Sequence, residues 1–307
     1  MRIGLTGGGM TADRIVSQAS RAEADGFTSM WYPSAAGGGD PLPVMTLAGR
    51  ATSAIELGTA VLQSYACHPV LAASRANAVA FAIGAPGRLT LGVGPSHQGP
   101  IENRLGLSYD TPGQHTEEYV QILDGLLRGE QVSFTGKQFR VNAGPLPLLD
   151  GVEIPVLVGA LGSRLLRVAG AYTAGTILWM ANAAAIETHV APIIRKAAAD
   201  AGRPAPRIVA GLPVAVHDDL AEARSAAARL YHAYGELPNY QRILARGGIA
   251  GPAEAVIVGG EDSVAAQVRA LFAAGATDVW AAPFPVGGDA GASRARTRAL
   301  LSSLARN

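Results

Sequence analysis

"LGVGPSHQG", residues 91–99, is the stretch on which the fold turns. An apolar run ends in Gly92 and Gly94, turns at Pro95 and delivers His97 three residues after the second glycine. Such a stretch is either a nucleotide loop or a strand end that carries catalytic groups into a pocket. A dinucleotide fingerprint requires a third glycine at the position of His97, and an acidic residue at the end of the next strand. A P-loop is excluded, since no Gly-Lys-Ser or Gly-Lys-Thr occurs. In a parallel barrel, by contrast, the C-terminal strand ends form the active-site face, and Pro95, Ser96 and His97 would lie there.

Working outward from this stretch, short β-rich runs alternate with Ala-rich segments of helical period, the pattern of parallel strands joined by crossover helices. The strands predicted are Arg2 to Thr6, Thr28 to Tyr32, Glu56 to Leu62, Arg88 to Gly94, Ile154 to Gly159, Thr176 to Met180, Arg207 to Val216 and Asp278 to Ala282. Eight is the (β/α)8 barrel number. Helices are predicted over Thr11 to Asp25, Val70 to Ile83, Pro112 to Arg128, Ser163 to Gly170, Ala184 to Ala201, Leu220 to Tyr231 and Ser263 to Ala274. Gly26, Gly129 and Gly275 follow helix ends as left-handed caps. Three stretches exceed a normal loop: 95–111, 129–153 with a small hairpin turning at Thr135 and Gly136, and 234–252, which reads as a lid. Nothing marks a linker, so residues 1–307 are expected to form a single domain.

The chain has 307 residues, 49% hydrophobic and 16% charged, with a formal net charge of +1. This balance leaves no broad basic field for nucleic acid or an anionic membrane surface, and it favours a small-molecule substrate. The single cysteine, Cys67, rules out an intramolecular disulfide and fits a reducing compartment. The N-terminus does not read as a signal peptide, and no apolar run reaches membrane-spanning length, so a cytoplasmic protein is expected. No His/Cys/Asp/Glu set has metal-ligand spacing, and no Gly-x-Ser-x-Gly elbow occurs, so neither a metal site nor hydrolysis is expected.

The order of "GFTSMWYPS", "ELGTAVLQSYACHP", "GRLTLGVGPSH", "YDTPGQHTEEYVQILDGLLRGEQVSFTGKQF", "PVLVGALGSRLLRVAG" and "AGTILWM" resembles the bacterial luciferase-like superfamily, and within it the branch that uses coenzyme F420. The resemblance runs over essentially the whole chain. It implies an α/β TIM barrel with insertion loops, a homodimer, and a deazaflavin, coenzyme F420, across the C-terminal mouth, with FMN as the alternative. It further implies a non-prolyl cis peptide between Ala60 and Val61, and a cofactor site formed by Ser34, Ala60, Val61, Gln63, Pro95, Ser96, Gly159, Ala160, Leu161, Gly162, Ser163 and Trp179.

Some of these residues also stand on their own chemistry. "GALGSR", residues 159–164, joins a strand to a helix with two glycines and a serine, so free backbone N–H groups at the helix start can bind a phosphate, with Arg164 beside them. Trp179 either walls the cofactor ring or fills the barrel. His68 is read as a helix cap, Trp31, Tyr32 and Trp280 as core or rim, and Glu102, Arg104, Tyr109 and His115 as surface groups by default. Tyr65 faces either the substrate or the rim. One departure from the branch is that Ser34 and Ala35 stand where many members carry an acid and a histidine, which leaves Asp40 as the nearest carboxylate. His97 is the expected proton donor, because an imidazole gains and loses a proton near neutral pH. The function expected is hydride transfer between the deazaflavin and a small organic substrate with an activated C=C or C=N bond. The alternatives are an FMN-dependent monooxygenase and a non-catalytic flavin or deazaflavin binder.

Overall fold

Eight parallel strands close on themselves: β1 (Ile3–Thr6), β2 (Ser29–Tyr32), β3 (Glu56–Thr59), β4 (Leu89–Gly94), β5 (Val156–Gly159), β6 (Gly175–Trp179), β7 (Arg207–Val216) and β8 (Asp278–Pro283). Each pairs with the next in chain order, and β8 pairs back to β1, so the eight strands form a closed ring. This is the (β/α)8 TIM barrel. The structure, a computed structural model, describes residues 1–8, 11–34, 39–84, 87–147 and 152–306. Ala35, the first residue of the departure noted above, lies outside them.

All eight predicted strands are present, the seventh with the expected bounds and the others with ends shifted by one to three residues. The third differs most, because it breaks after Thr59, the Ala60–Val61 peptide is cis as expected, and the chain resumes as Leu62–Gln63 paired to Val93 and Gly94 of β4. Other elements fall outside the sequence reading: helices Pro41–Arg50, Pro238–Arg246 and Ala290–Arg306, and the short strand Ile257–Gly259 added beside β7. "DPLPVM" is a helix start, because the Asp40 side chain accepts from the Leu42 N–H and both prolines occupy the first turn, where no N–H is needed. The helix predicted over 184–201 is interrupted by a π-turn at Ile186–Val190. In the hairpin, Thr135 pairs with Arg140, so the turn is residues 136–139 rather than Thr135 and Gly136. The Glu118 carboxylate sets this wider turn by accepting from the N–H groups of Lys137, Gln138 and Phe139 at 2.8–3.0 Å.

Alternation along the strands sorts the barrel interior into levels. At the N-terminal end, Glu56, Thr90, Arg207 and Asp278 meet with Arg2: Arg207 reaches Glu56 at 2.8 Å and Asp278 at 2.7 Å, and Arg2 reaches Asp278 at 2.7 Å. Above this network lie Trp31, Leu157, Ile177, Val209 and Trp280. Two indoles fit one small barrel because glycines stand opposite them: a Cβ at Gly58 would strike the Trp31 ring, and one at Gly211 the Trp280 ring. Each indole N–H is satisfied inside the barrel, Trp31 donating to Ser29 Oγ at 2.9 Å and Trp280 to Thr6 Oγ1 at 2.8 Å.

Candidate active site

The strands stay buried until their C-terminal ends, and there the barrel opens. β4 is buried from Leu89 through Gly94, then Pro95, Ser96 and His97 are half-buried, and Gly159 and Trp179 open in the same way at the ends of β5 and β6. Ser96 and Met180, the two non-glycine residues with left-handed φ among the described residues (+64° and +63°), both sit on this rim. Such conformations are costly for side-chain-bearing residues and concentrate where function demands them.

Val61, the second residue of the cis bond, projects between β4 and β5. A Cβ at Gly94 would stand 3.0 Å from Val61 Cγ2, and one at Gly159 would stand 3.4 Å from Val61 Cγ1, so these two glycines make the seat for this bulge. Beside it, Gly162 precedes the ten-residue helix Ser163–Tyr172 with no side chain capping it, and the first helical bond runs from Leu166 N–H to the Gly162 carbonyl. The N–H groups of Ser163, Arg164 and Leu165 are therefore left for a ligand. A Cβ at Gly162 would meet nothing within 4 Å. A flat convex backing at Val61 and an uncapped helix start in open space fit a ring with a phosphate-bearing chain.

His97 stands at the rim with its ring 5.8 Å from that of Tyr240, and burial holds its pKa below the usual 6.5. The imidazole is therefore the neutral base at neutral pH. The extended loop after β4 is tied down by the Tyr109 hydroxyl, which donates to the Ser96 carbonyl at 2.8 Å. The lid segment carries a 3-10 turn, His232–Glu236, and the helix Pro238–Arg246, whose inner face buries Tyr240, Ile243 and Leu244. Asn182 pins the end of that helix by donating to the Gly247 carbonyl at 2.9 Å.

The expected site residues divide accordingly. Ala60, Val61, Gln63, Pro95, Ser96, His97, Gly159, Leu161, Gly162, Ser163 and Trp179 lie at the C-terminal ends of β3 to β6 or in the segments that directly follow them, and half-buried Ser34 follows β2. Ala160 is buried and offers backbone only. Arg164 turns away, donating to Gln114 at 2.9 Å and Glu117 at 3.1 Å, and Asp40 is engaged by Arg75 and by its helix. His115 is a buried group rather than a surface one: it stacks on Tyr65 at 3.8 Å, contacts Ser64 Oγ at 3.1 Å, and burial lowers its pKa to about 4. His68 caps its helix as expected, accepting from the Val70 N–H.

His189 escaped the sequence reading. Its Nε2 donates to the Leu161 carbonyl at 3.0 Å, fixing the loop before the uncapped helix. The available signal was a histidine at helical spacing with the apolar Ile186 and Val190, on the face opposite exposed Glu187 and Thr188.

The sequence profile of the luciferase-like monooxygenase family matches residues 2–278. The chain belongs to the luciferase-like family. Among luciferase-like relatives, the 5,10-methylenetetrahydromethanopterin reductase of Methanolobus tindarius is 27% identical over 290 residues, 94% of this chain and 86% of that protein. The F420-dependent hydroxymycolic acid dehydrogenase of Mycobacterium tuberculosis is 32% identical over 232 residues, 70% of this chain and 62% of that protein. The solved coenzyme F420-dependent tetrahydromethanopterin reductase of Methanopyrus kandleri shares the fold, with a TM-score of 0.78, 22% identity, and coverage of 98% of this chain and 95% of that one.

Proposed function

We propose that this protein is a coenzyme F420-dependent oxidoreductase that moves a hydride between the deazaflavin and a small organic substrate with an activated C=C or C=N bond. The observation that carries this reading is the combination at one mouth of the Val61 bulge seated on Gly94 and Gly159, the uncapped helix start at Gly162, and His97 just after the end of β4. The names of the relatives support the coenzyme assignment. When bound, the deazaflavin supplies the hydride, and the protein supplies orientation and a proton.

In this reading Ala60, Val61 and Gln63 back the ring, with Ser34, Pro95, Ser96 and Trp179 around it. Gly159 to Ser163 hold the phosphate side through backbone N–H groups, with His189 fixing the loop through the Leu161 carbonyl. His97 passes a proton to the substrate atom left electron-rich when its neighbour accepts the hydride, so the substrate gains one hydride and one proton in total. Because His97 is held neutral at neutral pH, reduction should quicken as pH falls below 6.5, while substrate oxidation should slow.

The test follows the loss of reduced coenzyme F420 with an activated enone as acceptor. His97→Gln should lower turnover by about 10²-fold, in line with well-placed acid catalysis, and leave coenzyme affinity within a few fold. Unchanged turnover with collapsed coenzyme affinity would make His97 a binding residue. Oxygen-dependent product formation with FMN would favour the monooxygenase reading.

A homodimer is part of the proposal. Leu47, Leu71 and Phe81 are 41%, 54% and 46% exposed on the neighbouring helices Pro41–Arg50 and Pro69–Ile83, a surface that a second copy would cover. Light scattering checks it, and Phe81→Glu should yield monomer. A cytoplasmic location is likewise part of the proposal; separately, among the described residues no helix is long and apolar enough to cross a membrane.

A further inference from the structure

Aromatic rings run in an unbroken series from the rim at the end of β4 through the lid to the end of β6 and into the barrel. From His97 the series passes to Tyr240 at 5.8 Å, Tyr234 at 4.8 Å, Trp179 at 6.1 Å and Trp280 at 4.9 Å. Tyr234 and Tyr240 come from the lid, Trp179 from the end of β6 and Trp280 from the barrel interior beside it, so lid and barrel meet ring against ring.

Charge is sparse at the strand ends that form this mouth. Among the described residues, 7–8, 33–34, 60–66, 94–99, 159–163, 179–186 and 283–288 include no Asp, Glu, Lys or Arg. The charged lid residues Glu236, Arg242 and Arg246 are exposed. The carboxylates directly after β7 are both engaged: Asp218 pairs with Arg296 at 2.8 Å, and Asp219 caps the helix Leu220–Tyr231. His97 is held neutral. An anionic substrate entering here would lose its hydration and find no counter-charge, whereas a flat apolar one would exchange water for ring contacts.

We propose that the substrate is a neutral, planar, conjugated or aromatic carbonyl-class molecule that lies against the rings of Trp179 and the lid tyrosines with its polar atom toward His97. This rests on the reading of the mouth as the redox site, and it separates the protein from enzymes of sugar phosphates or other anionic substrates.

The test is a calorimetric titration of the coenzyme-loaded protein with three probes: 2-acetylnaphthalene, its near-isostere 2-naphthoate, and glucose 6-phosphate. The neutral ketone should bind at least tenfold tighter than naphthoate, and glucose 6-phosphate should bind more weakly than the ketone. Trp179→Leu and Tyr234→Leu should each weaken the ketone about three- to tenfold, the range of one aromatic contact. Tyr234→Leu lies on the lid, off the coenzyme loop, and keeps the test readable should Trp179→Leu fail to fold. Naphthoate or glucose 6-phosphate binding as tightly as the ketone overturns the proposal. So does a ketone affinity unchanged in the folded variants, or no ketone binding up to its solubility limit. The same titration on coenzyme-free protein separates the two readings. A ketone displaced by coenzyme F420 occupies the coenzyme's own seat, which defeats this proposal alone. Failure of coenzyme F420 to alter its absorbance on mixing defeats the coenzyme assignment and leaves the ketone-to-naphthoate comparison standing.

Discussion

The two ends of this barrel solve opposite problems with the same strands. At the N-terminal end, Glu56 and Asp278 are matched by Arg207 and Arg2, with Thr90 and Thr277 filling remaining hydrogen-bond positions. At the C-terminal end, a helix start is left uncapped, two side-chain-bearing residues take left-handed backbone, and glycines hold open space. The closed end is electrostatically complete and the open end is not. Completed networks stabilise a fold, and the groups left unmatched at the mouth are those available to a ligand.

The sharpest way to break this comparison is at the closed end. Asp278→Asn strips a carboxylate whose side chain is 2% exposed and which holds two arginines, so unfolding should become easier by about 3 kcal/mol, read from the shift in a denaturant midpoint. Coenzyme affinity of the folded protein should not move. A loss of affinity equal to the loss of stability would mean that the ends are not separable. His97→Gln is the counterpart at the open end: turnover should fall about 10²-fold while the denaturant midpoint stays within about 0.5 kcal/mol of the parent.

A smaller effect of opposite signs is expected at the uncapped helix. Ser163→Asp places a carboxylate on the helix N-terminus, where it should add up to about 1 kcal/mol of stability by complementing the dipole. The same charge occupies the proposed phosphate seat, so coenzyme affinity should fall at least tenfold by equilibrium titration. A rise in both quantities would remove the phosphate from this loop.

Acid should reveal the buried histidine before the closed end. The folded pKa of His115 is about 4, below its unfolded value near 6.5, so its contribution is complete above pH 6.5 and is lost as pH falls toward 4. Asp278 is also depressed, so the stability it brings is present above its unfolded value near 3.9 and disappears only at lower pH. His115→Phe should flatten the stability profile between pH 6.5 and 4, measured by denaturant midpoints across that range. Asp278→Asn should leave that slope in place.

The barrel was legible because each strand is a short apolar run bounded by turn signals, and "LGVGPSH" pointed to its functional face. The helix Pro41–Arg50 was not, since its start depends on the Asp40 cap rather than on periodicity. The closed-end network was hidden for a different reason: Glu56, Arg207 and Asp278 each stand at a strand start, where a charged residue reads as a solvated end. Only closure of the sheet brings the three together. At the mouth, glycines and His97 were readable as local pattern, whereas His189, Tyr234 and Tyr240 reach the site through packing of segments far apart in the chain.

The central claim is that the incomplete end of the barrel is a deazaflavin site. Its most direct measurement is an equilibrium titration of the purified protein with coenzyme F420 and, separately, with FMN, followed by the absorbance of each. The account predicts saturable binding of coenzyme F420, at least tenfold tighter than FMN, that Ser163→Asp weakens and Asp278→Asn does not. Tight FMN binding without coenzyme F420 binding would contradict it.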